Sequence, residues 1–169
     1  DEVLEKERED GTFEFFIDLP RESEWIYSAK GGFTKGSYPW GTDFIQNNYN
    51  AFLANFNVQQ LQENFNQPYG YRTQTNKNAY TSAGLATNKD TIATTNVFDY
   101  NPNAYGLYCM SGNVAEWVIS DDGQTTKALG GSWGSDFEHL KIGGESEFKG
   151  KASSPFIGFR ILVLIKQDQ

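Results

Sequence analysis

The distribution of apolar and polar positions predicts short strands that are separated by long polar stretches. Apolar runs predict strands in "TFEFFIDLP" (12–20), "TTNVFDY" (94–100), "ALGGSWGS" (128–135) and "PFIGFRILVLI" (155–165). The last run is interrupted by Arg160 and is shorter than the ~18 apolar residues that a membrane span needs. Its length suits a buried strand.

One helix is strongly indicated in "LPRESEWIYSAKGG" (19–32). Asp18 is the predicted N-cap, because a short acidic side chain can accept hydrogen bonds from the first free backbone N–H groups. Trp25 and Ala29 are four positions apart and share a face, which we expect to be buried. Gly31 and the glycine after it end the helix.

The remaining segments are polar and lack a sustained period. Residues 1–11 are highly charged and are predicted to be helical or frayed, so residues 1–17 form a lead segment. Residues 18–169 then make one domain, as the length of the chain suggests. Residues 57–88, rich in Gln, Asn, Thr and Tyr, predict a long loop of the kind that often carries function.

Charge and cysteine content narrow the classes of protein that fit. The net charge of −8 and the lack of a basic patch argue against nucleic-acid binding. The first ten residues are charged throughout, unlike a signal peptide. A single cysteine cannot form an internal disulfide bond.

Separated motifs occur in one order along the chain: "LPRESEWIYSAKGG" (19–32), "YPWG" (38–41), "YGLYCMSGNVAEW" (105–117), "GGSW" (130–133) and "IGFR" (157–160). Together they resemble the formylglycine-generating-enzyme-like family, also called the sulfatase-modifying-factor domain. The resemblance runs from about Asp18 to about Val163 and implies a loop-rich α+β fold, a variant of the C-type lectin fold. The family domain normally begins well before the first motif, so we expect the chain to lack the usual N-terminal part.

One segment points to a branch of the family. "YPWGTDFIQNNYNAFLANFN" (38–57) is similar to the K and J lipoproteins of gliding motility and type IX secretion in the Bacteroidota. This resemblance implies a location in the periplasm or at the cell surface. It also implies association with the outer membrane through a lipid anchor outside this chain, and other cell-envelope proteins as partners.

The residues that the family needs for catalysis are missing. Its oxidising members use two cysteines after the Gly-Gly-Ser turn to bind copper and attack a substrate thiol, but residues 130–160 contain no cysteine. Cys109 lies elsewhere and is interpreted as a small buried apolar residue. A related branch holds iron with several histidines, whereas His139 is the only histidine in this chain. We therefore expect neither enzymatic activity nor copper.

The central motif resembles a calcium site of the family. The family pattern places an Asn or Asp side chain at position 109, main-chain carbonyls at 112 and 114, and a carboxylate at 116. Gly112, Val114 and Glu116 match this pattern. Position 109 is Cys109, whose soft sulfur suits a hard cation poorly. The resemblance therefore predicts a site that has lost one oxygen ligand.

A second calcium site of the family takes an Asn side chain, the next carbonyl, an Asp side chain and a carbonyl two residues further on. The matching positions are Asn55, Phe56, Asp90 and Ile92. The resemblance thus implies structural Ca²⁺ at one site of the two, where it would hold loops to the scaffold.

The leading hypothesis for function is a non-catalytic structural or protein-interaction domain of a bacterial cell-envelope assembly. Tyr69, Tyr71 and Tyr80, in the polar loop, are candidate partner-binding anchors. The first alternative is a lectin-like ligand-binding or carbohydrate-binding protein, which the lack of Asn and Tyr in residues 134–155 disfavours. The second alternative is a divergent enzyme of the formylglycine-generating family.

Overall fold

The computed structural model describes residues 3–8, 11–49, 51–57, 94–146 and 153–167. Over these residues the fold is α+β, with one α-helix and two three-stranded sheets. The elements are β1 (Val3–Arg8), β2 (Gly11–Asp18), α1 (Glu22–Lys30), a 3-10 turn (Val97–Asp99), β3 (Ala115–Ile119), β4 (Thr126–Leu129), β5 (Ile157–Gly158) and β6 (Leu162–Gln167).

The first sheet joins the beginning of the chain to its end. Its strand order is β1-β2-β6, and both pairs are antiparallel. The predicted helical or frayed state of residues 1–11 is therefore wrong for β1. A helix this short is unstable in water, whereas pairing with β2 satisfies the strand's backbone groups directly. The division into residues 1–17 and 18–169 stays a prediction, although this sheet contains strands from both.

The second sheet is built around β3, in the order β4-β3-β5. Glu116 on β3 lies opposite Leu129 on the antiparallel strand β4 and opposite Gly158 on the parallel strand β5. The strand predicted over residues 155–165 is divided between the two sheets, because the chain leaves β5 before Arg160 and enters β6 after it.

The strands predicted over residues 128–135 and 94–100 are interrupted or replaced by turns. The stretch predicted over 128–135 ends its strand at Leu129, and Gly130 and Gly131 follow with φ of 89° and 67°. Residues 94–100 contain a 3-10 turn instead of a strand, because the Asn96 side chain accepts a hydrogen bond from Phe98 N at 2.9 Å. Side chains that bond their own backbone in this way compete with strand pairing.

The predicted helix is present as α1. Trp25 and Ala29 are both buried, and Gly31 ends the helix in the left-handed conformation with φ of 56°. This confirms the burial and the termination that the spacing indicated. Left-handed backbone at this position is what glycine provides most readily.

The predicted N-cap of this helix is wrong. Asp18 accepts a hydrogen bond from Leu19 N, and the cap position belongs to Arg21. The Glu24 carboxylate accepts from Arg21 N at 2.7 Å, while Asp121 accepts from Ser23 N at 3.0 Å. An acidic residue distant in the sequence therefore caps the helix, and the hydrogen bonds from the backbone and side chain of Ser23 hold the pKa of Asp121 below its usual range.

Two clusters of buried residues form the core. The first packs α1 against β3 and β4 and contains Trp25, Ala29, Met110, Val118 and Leu129. The second lies beside it and contains Tyr38, Ile45, Ala54, Phe56 and Leu140. Burying a large apolar side chain contributes roughly 1.5–3 kcal/mol, so each large residue in these clusters stabilises the fold by about that amount.

None of the helices in the described ranges has the length and apolar character required to cross a membrane.

Candidate functional site

The turn before β3 depends on left-handed backbone. Cys109, Gly112 and Asn113 have φ of 51°, 75° and 67°. A Cβ atom at position 112 would lie 2.3 Å from the carbonyl oxygen of Asn55, so the close approach requires glycine. Asparagine adopts this conformation at low cost, whereas cysteine does so at a cost of about 1–2 kcal/mol.

Asn113 ties this turn to three distant segments. Its backbone N–H donates to the Asn55 carbonyl at 2.8 Å, and its own carbonyl accepts from Trp133 N at 2.9 Å. Its side-chain oxygen accepts from Thr95 N at 2.9 Å. The turn is thus the point at which the loops around residues 55, 95 and 133 meet.

Glu116 lies at the centre of a buried network. Its Oε2 accepts from Trp25 Nε1 at 2.7 Å and from Arg160 Nε at 2.6 Å. Its Oε1 accepts from Arg160 Nη2 at 2.7 Å. This is a bidentate ion pair, the strongest geometry that a guanidinium and a carboxylate can form. The pair connects β3 to the segment between β5 and β6, and the indole connects both to α1.

Cys109 is half-buried, and its thiol donates to the carbonyl of Val97 at 3.4 Å. Burial raises the pKa of this thiol, and the negative charge of Glu116 raises it further. Arg160 and a hydrogen bond from Asn113 oppose the increase without cancelling it. Since the thiolate is the reactive form of cysteine, this environment keeps the group in its unreactive state at neutral pH.

The carboxylate of the first predicted calcium set is engaged in the network around Glu116. Both oxygens of Glu116 accept hydrogen bonds from Arg160, and the hydrogen of the Cys109 thiol points to a backbone carbonyl. Calcium takes six to eight oxygen ligands and favours carboxylates. Within the described ranges, no group of three or more His, Cys, Asp and Glu residues could hold a metal ion. The first predicted set of calcium ligands, Gly112, Val114 and Glu116, stays a prediction.

Only half of the second predicted calcium set lies in the described residues. Asn55 borders the turn, and its side-chain nitrogen lies 3.4 Å from the side-chain oxygen of Asn113. Phe56 is buried in the second core cluster. Asp90 and Ile92 lie outside the described residues, so this set stays a prediction.

The predicted partner-binding residues cannot be placed. Tyr69, Tyr71 and Tyr80, like the rest of the loop from residue 58 onwards, lie outside the described residues. Their role stays a prediction.

Sequence reasoning missed the partners of Glu116. In the sequence, Arg160 interrupts an apolar run within a shared motif and Trp25 lies on the buried face of a helix, but neither pattern connects them to Glu116. The available signal was the charge itself, because an arginine inside an apolar run must find a partner if it is partly buried. That signal indicates that a partner exists without identifying it.

A small cleft lies beside Cys109, lined by residues that include Pro39, Trp40, Leu53 and Tyr100. Its volume is about 20 Å³, enough for about one water molecule and too small for an organic substrate. Burial raises the pKa of the Tyr100 phenol well above its usual range, so this phenol stays protonated. The cleft does not resemble a catalytic pocket, which is typically many times larger.

The shared motifs converge on this site, because α1, the left-handed turn, β3 and Arg160 all meet at Glu116. The profile of the sulfatase-modifying factor enzyme 1-like domain matches residues 5–165. The chain therefore belongs to this family, as its motifs predicted.

Among curated proteins, the inactive Cα-formylglycine-generating enzyme 2 of Mus musculus is 31% identical over 119 residues. That alignment covers 68% of this chain and 31% of the relative. The formylglycine-generating enzyme of Thermomonospora curvata is 30% identical over 102 residues, which cover 59% of this chain and 25% of the enzyme. The chain thus spans a third or less of the length of these relatives.

Among solved structures, Treponema denticola variable protein 1 has a similar fold, with a TM-score of 0.54. The match covers 89% of this chain and 48% of that protein, at 20% sequence identity. At this identity the similarity concerns the fold alone, and it supports the formylglycine-generating-enzyme-like architecture.

Proposed function

We propose that this chain is a non-catalytic protein-interaction domain of a bacterial cell-envelope assembly. The observation that supports this proposal most directly is the set of exposed apolar side chains on β2 and β6. They are Phe16 (37% exposed), Ile17 (40%), Val163 (44%), Leu164 (53%) and Ile165 (63%).

The register of these strands places apolar side chains on both faces of the sheet. Phe16 lies opposite Leu164, and Ile17 lies opposite Val163. Residues directly opposite in an antiparallel pair share a face, and neighbouring residues on one strand point to opposite faces. A sheet with both faces apolar is typical of one that other polypeptide covers on both sides.

The two edges of the sheet differ in a way that favours β6 as the contact edge. The sequence of β1, "VLEKER", carries four charged residues, whereas β6, "LVLIKQ", begins with four apolar ones. Charged edge strands resist pairing with other chains, and apolar edge strands promote it. We therefore assign the contact to a partner protein that pairs with the β6 edge and also packs on the apolar side chains of the sheet.

A non-catalytic role is supported by the state of the thiol and by the relatives. Cys109 is the only cysteine in the sequence, and its environment favours the protonated form. Two of the similar curated proteins, from Mus musculus and Bos taurus, are named as inactive formylglycine-generating enzymes. With one cysteine, the chain lacks the pair that would bind copper and oxidise a substrate thiol.

The assignment to type IX secretion or gliding motility is carried by residues 38–57, which are similar to the K and J lipoproteins. It includes a location in the periplasm or at the cell surface and an outer-membrane anchor outside this chain. We also assign the fold to the C-type-lectin-like variant.

The genes beside this one in the source organism test the assignment to type IX secretion or gliding motility. Neighbouring secretion genes would support it. A reverse transcriptase or a sulfatase beside the gene would contradict it.

The interaction is tested by replacing the apolar edge without disturbing the strand. In the Val163→Thr/Leu164→Thr variant, threonine keeps a high strand propensity while removing apolar surface. The matched control is Phe98→Thr, which alters an exposed aromatic residue of the 3-10 turn, outside both sheets. We expect the wild type to cross-link to a type IX secretion or gliding protein in cell envelopes. The double variant should lose this cross-link, and the control variant should retain it. Equal cross-linking by all three proteins would contradict the proposed surface.

A further inference from the structure

We propose that Tyr27 and Tyr105 form a modification site, at which a one-electron oxidant such as a haem peroxidase with hydrogen peroxide joins the two rings in an intramolecular dityrosine cross-link. The phenol of Tyr105 donates a hydrogen bond to the phenolic oxygen of Tyr27 at 3.2 Å. The ring centroids are 5.8 Å apart, and the ring planes are tilted by 41°. Since the hydroxyl of a tyrosine lies between its two ortho carbons, this contact brings together the atoms that the cross-link joins.

Both rings are accessible to an oxidant from solution. Tyr27 is 65% exposed and Tyr105 is 47% exposed. Two further tyrosines of the described ranges pack on aromatic rings without being able to form this product. Tyr108 packs on Phe98, which gives no phenoxyl radical, and Tyr38, which stacks on a tryptophan, is buried. Exposure and ring chemistry therefore favour Tyr27 and Tyr105 as the reacting pair.

The turn that carries Tyr105 is held against the end of α1 by Asn103. The side-chain nitrogen of Asn103 donates to the carbonyls of Ser28 at 2.7 Å and Ala29 at 3.2 Å. Its side-chain oxygen accepts from Tyr105 N at 3.0 Å. Tyr27 lies on α1 directly before Ser28. The fold thus positions the two tyrosines before oxidation, and such positioning raises the rate of a reaction between two groups.

The cross-linking reaction balances with hydrogen peroxide as the oxidant. Each phenol gives up one electron and one proton, and the two phenoxyl radicals form a new bond between ortho carbons. The hydrogen on each of these carbons then moves to the oxygen of its own ring, which restores both phenols. The protein loses two hydrogen atoms in total, and one molecule of peroxide is reduced to two of water.

The cross-link supplies a covalent connection that this chain cannot make with a disulfide bond, because Cys109 is its only cysteine. Tyr27 and Tyr105 are 78 positions apart in the sequence. A bond between them closes a long loop, and closing a loop stabilises a fold mainly by restricting the unfolded chain. We therefore expect the cross-linked protein to unfold at a higher temperature than the untreated protein.

The test treats the dilute, purified protein with a haem peroxidase and hydrogen peroxide. We expect a monomeric product with dityrosine fluorescence, in which the tryptic peptides 22–30 and 90–127 are joined with the loss of two hydrogen atoms. Fragmentation of this product should locate the bond at Tyr27 and Tyr105. Tyr27→Phe and Tyr105→Phe should each abolish it, because phenylalanine keeps the ring and removes the phenol. The matched control is Tyr49→Phe, which removes a tyrosine that is 86% exposed and should retain the product.

The proposal is overturned if no dityrosine forms, if it forms only between two chains, or if the bond maps to other tyrosines. Joined peptides that persist in Tyr27→Phe would overturn it as well. Thermal unfolding of the purified cross-linked monomer tests the stabilising effect, with peroxidase-treated Tyr27→Phe as the control for oxidation elsewhere. We expect a higher Tm for the cross-linked monomer alone, and an unchanged or lower Tm would contradict the role of the bond as a stabilising connection.

Discussion

The indole nitrogen of Trp25 lies 2.7 Å from the carboxylate of Glu116 and joins α1 to β3. The two residues are 91 positions apart in the sequence. Because Arg160 binds the same carboxylate, one acidic group holds together the helix, the central strand and the segment between β5 and β6.

We expect Trp25→Phe to reduce the free energy of unfolding by about 1.5–3 kcal/mol beyond the lost apolar surface, because a hydrogen bond to a charged group is removed. The matched control is Trp133→Phe, since its indole donates to the neutral Pro155 carbonyl in an exposed setting. Urea denaturation measures both. Equal losses in the two variants would contradict the structural role of the Trp25 hydrogen bond.

The ion pair between Arg160 and Glu116 should contribute more to the free energy of unfolding than a more exposed ion pair does. We expect Arg160→Met to reduce the free energy of unfolding by about 3–5 kcal/mol, because it leaves the buried Glu116 carboxylate without its counter-charge. Lys127→Met breaks the more exposed pair with Glu22 and should cost much less. The same denaturation series measures both, and a similar loss for the two variants would show that Arg160 does not compensate a buried charge.

Gly112 should be far less tolerant of substitution than another left-handed glycine. Gly112→Ala brings a Cβ atom to 2.3 Å from the Asn55 carbonyl oxygen, so the turn must move. Gly106 has a similar φ of 79° and open space around it, so Gly106→Ala should cost only the conformational term of about 1–2 kcal/mol. Thermal unfolding distinguishes the two. If Gly112→Ala is no worse than Gly106→Ala, the close approach is not a constraint.

The thiol of Cys109 should give the stability a dependence on alkaline pH. Its folded-state pKa is raised above the ordinary value of 9.0, mainly by burial, so the folded protein keeps a proton that the unfolded chain releases. The resulting stabilisation is complete below the unfolded pKa and is lost as the pH rises through the folded pKa. We expect the stability of the wild type relative to Cys109→Ala to decline above pH ~9. Chemical denaturation across this range measures the difference, and a constant or rising difference would contradict the buried thiol.

The protein should not generate formylglycine. With copper, oxygen and a peptide that carries the sulfatase cysteine motif, we expect the peptide mass to remain unchanged, because the chain has one cysteine and its thiol is kept protonated. The formylglycine-generating enzyme of Thermomonospora curvata serves as the positive control. Turnover of the peptide that disappears in Cys109→Ala would establish a catalytic thiol and contradict the proposed function.

Short-range sequence patterns correctly predicted the features of the fold that depend on residues close together in the chain. The spacing of Trp25 and Ala29 and the glycine at position 31 predicted the buried face and the end of α1, because helical contacts repeat every three to four residues. The same signals failed for the N-cap, since the group that bonds Ser23 N is Asp121, 98 positions away. The apolar run near the C-terminus was recognised, but its division between two sheets was not.

The sequence by itself determined the family and the lack of a cysteine pair. These are properties of composition and of short motifs. Only the tertiary structure decided that Glu116 pairs with Arg160, 44 positions away, and that Trp25 completes the network. The physical reason is that periodicity reports whether a side chain is buried, whereas the partner of a buried charge depends on the path of the whole chain. The same path left the apolar residues of β6 exposed, although their pattern alone had indicated a buried strand.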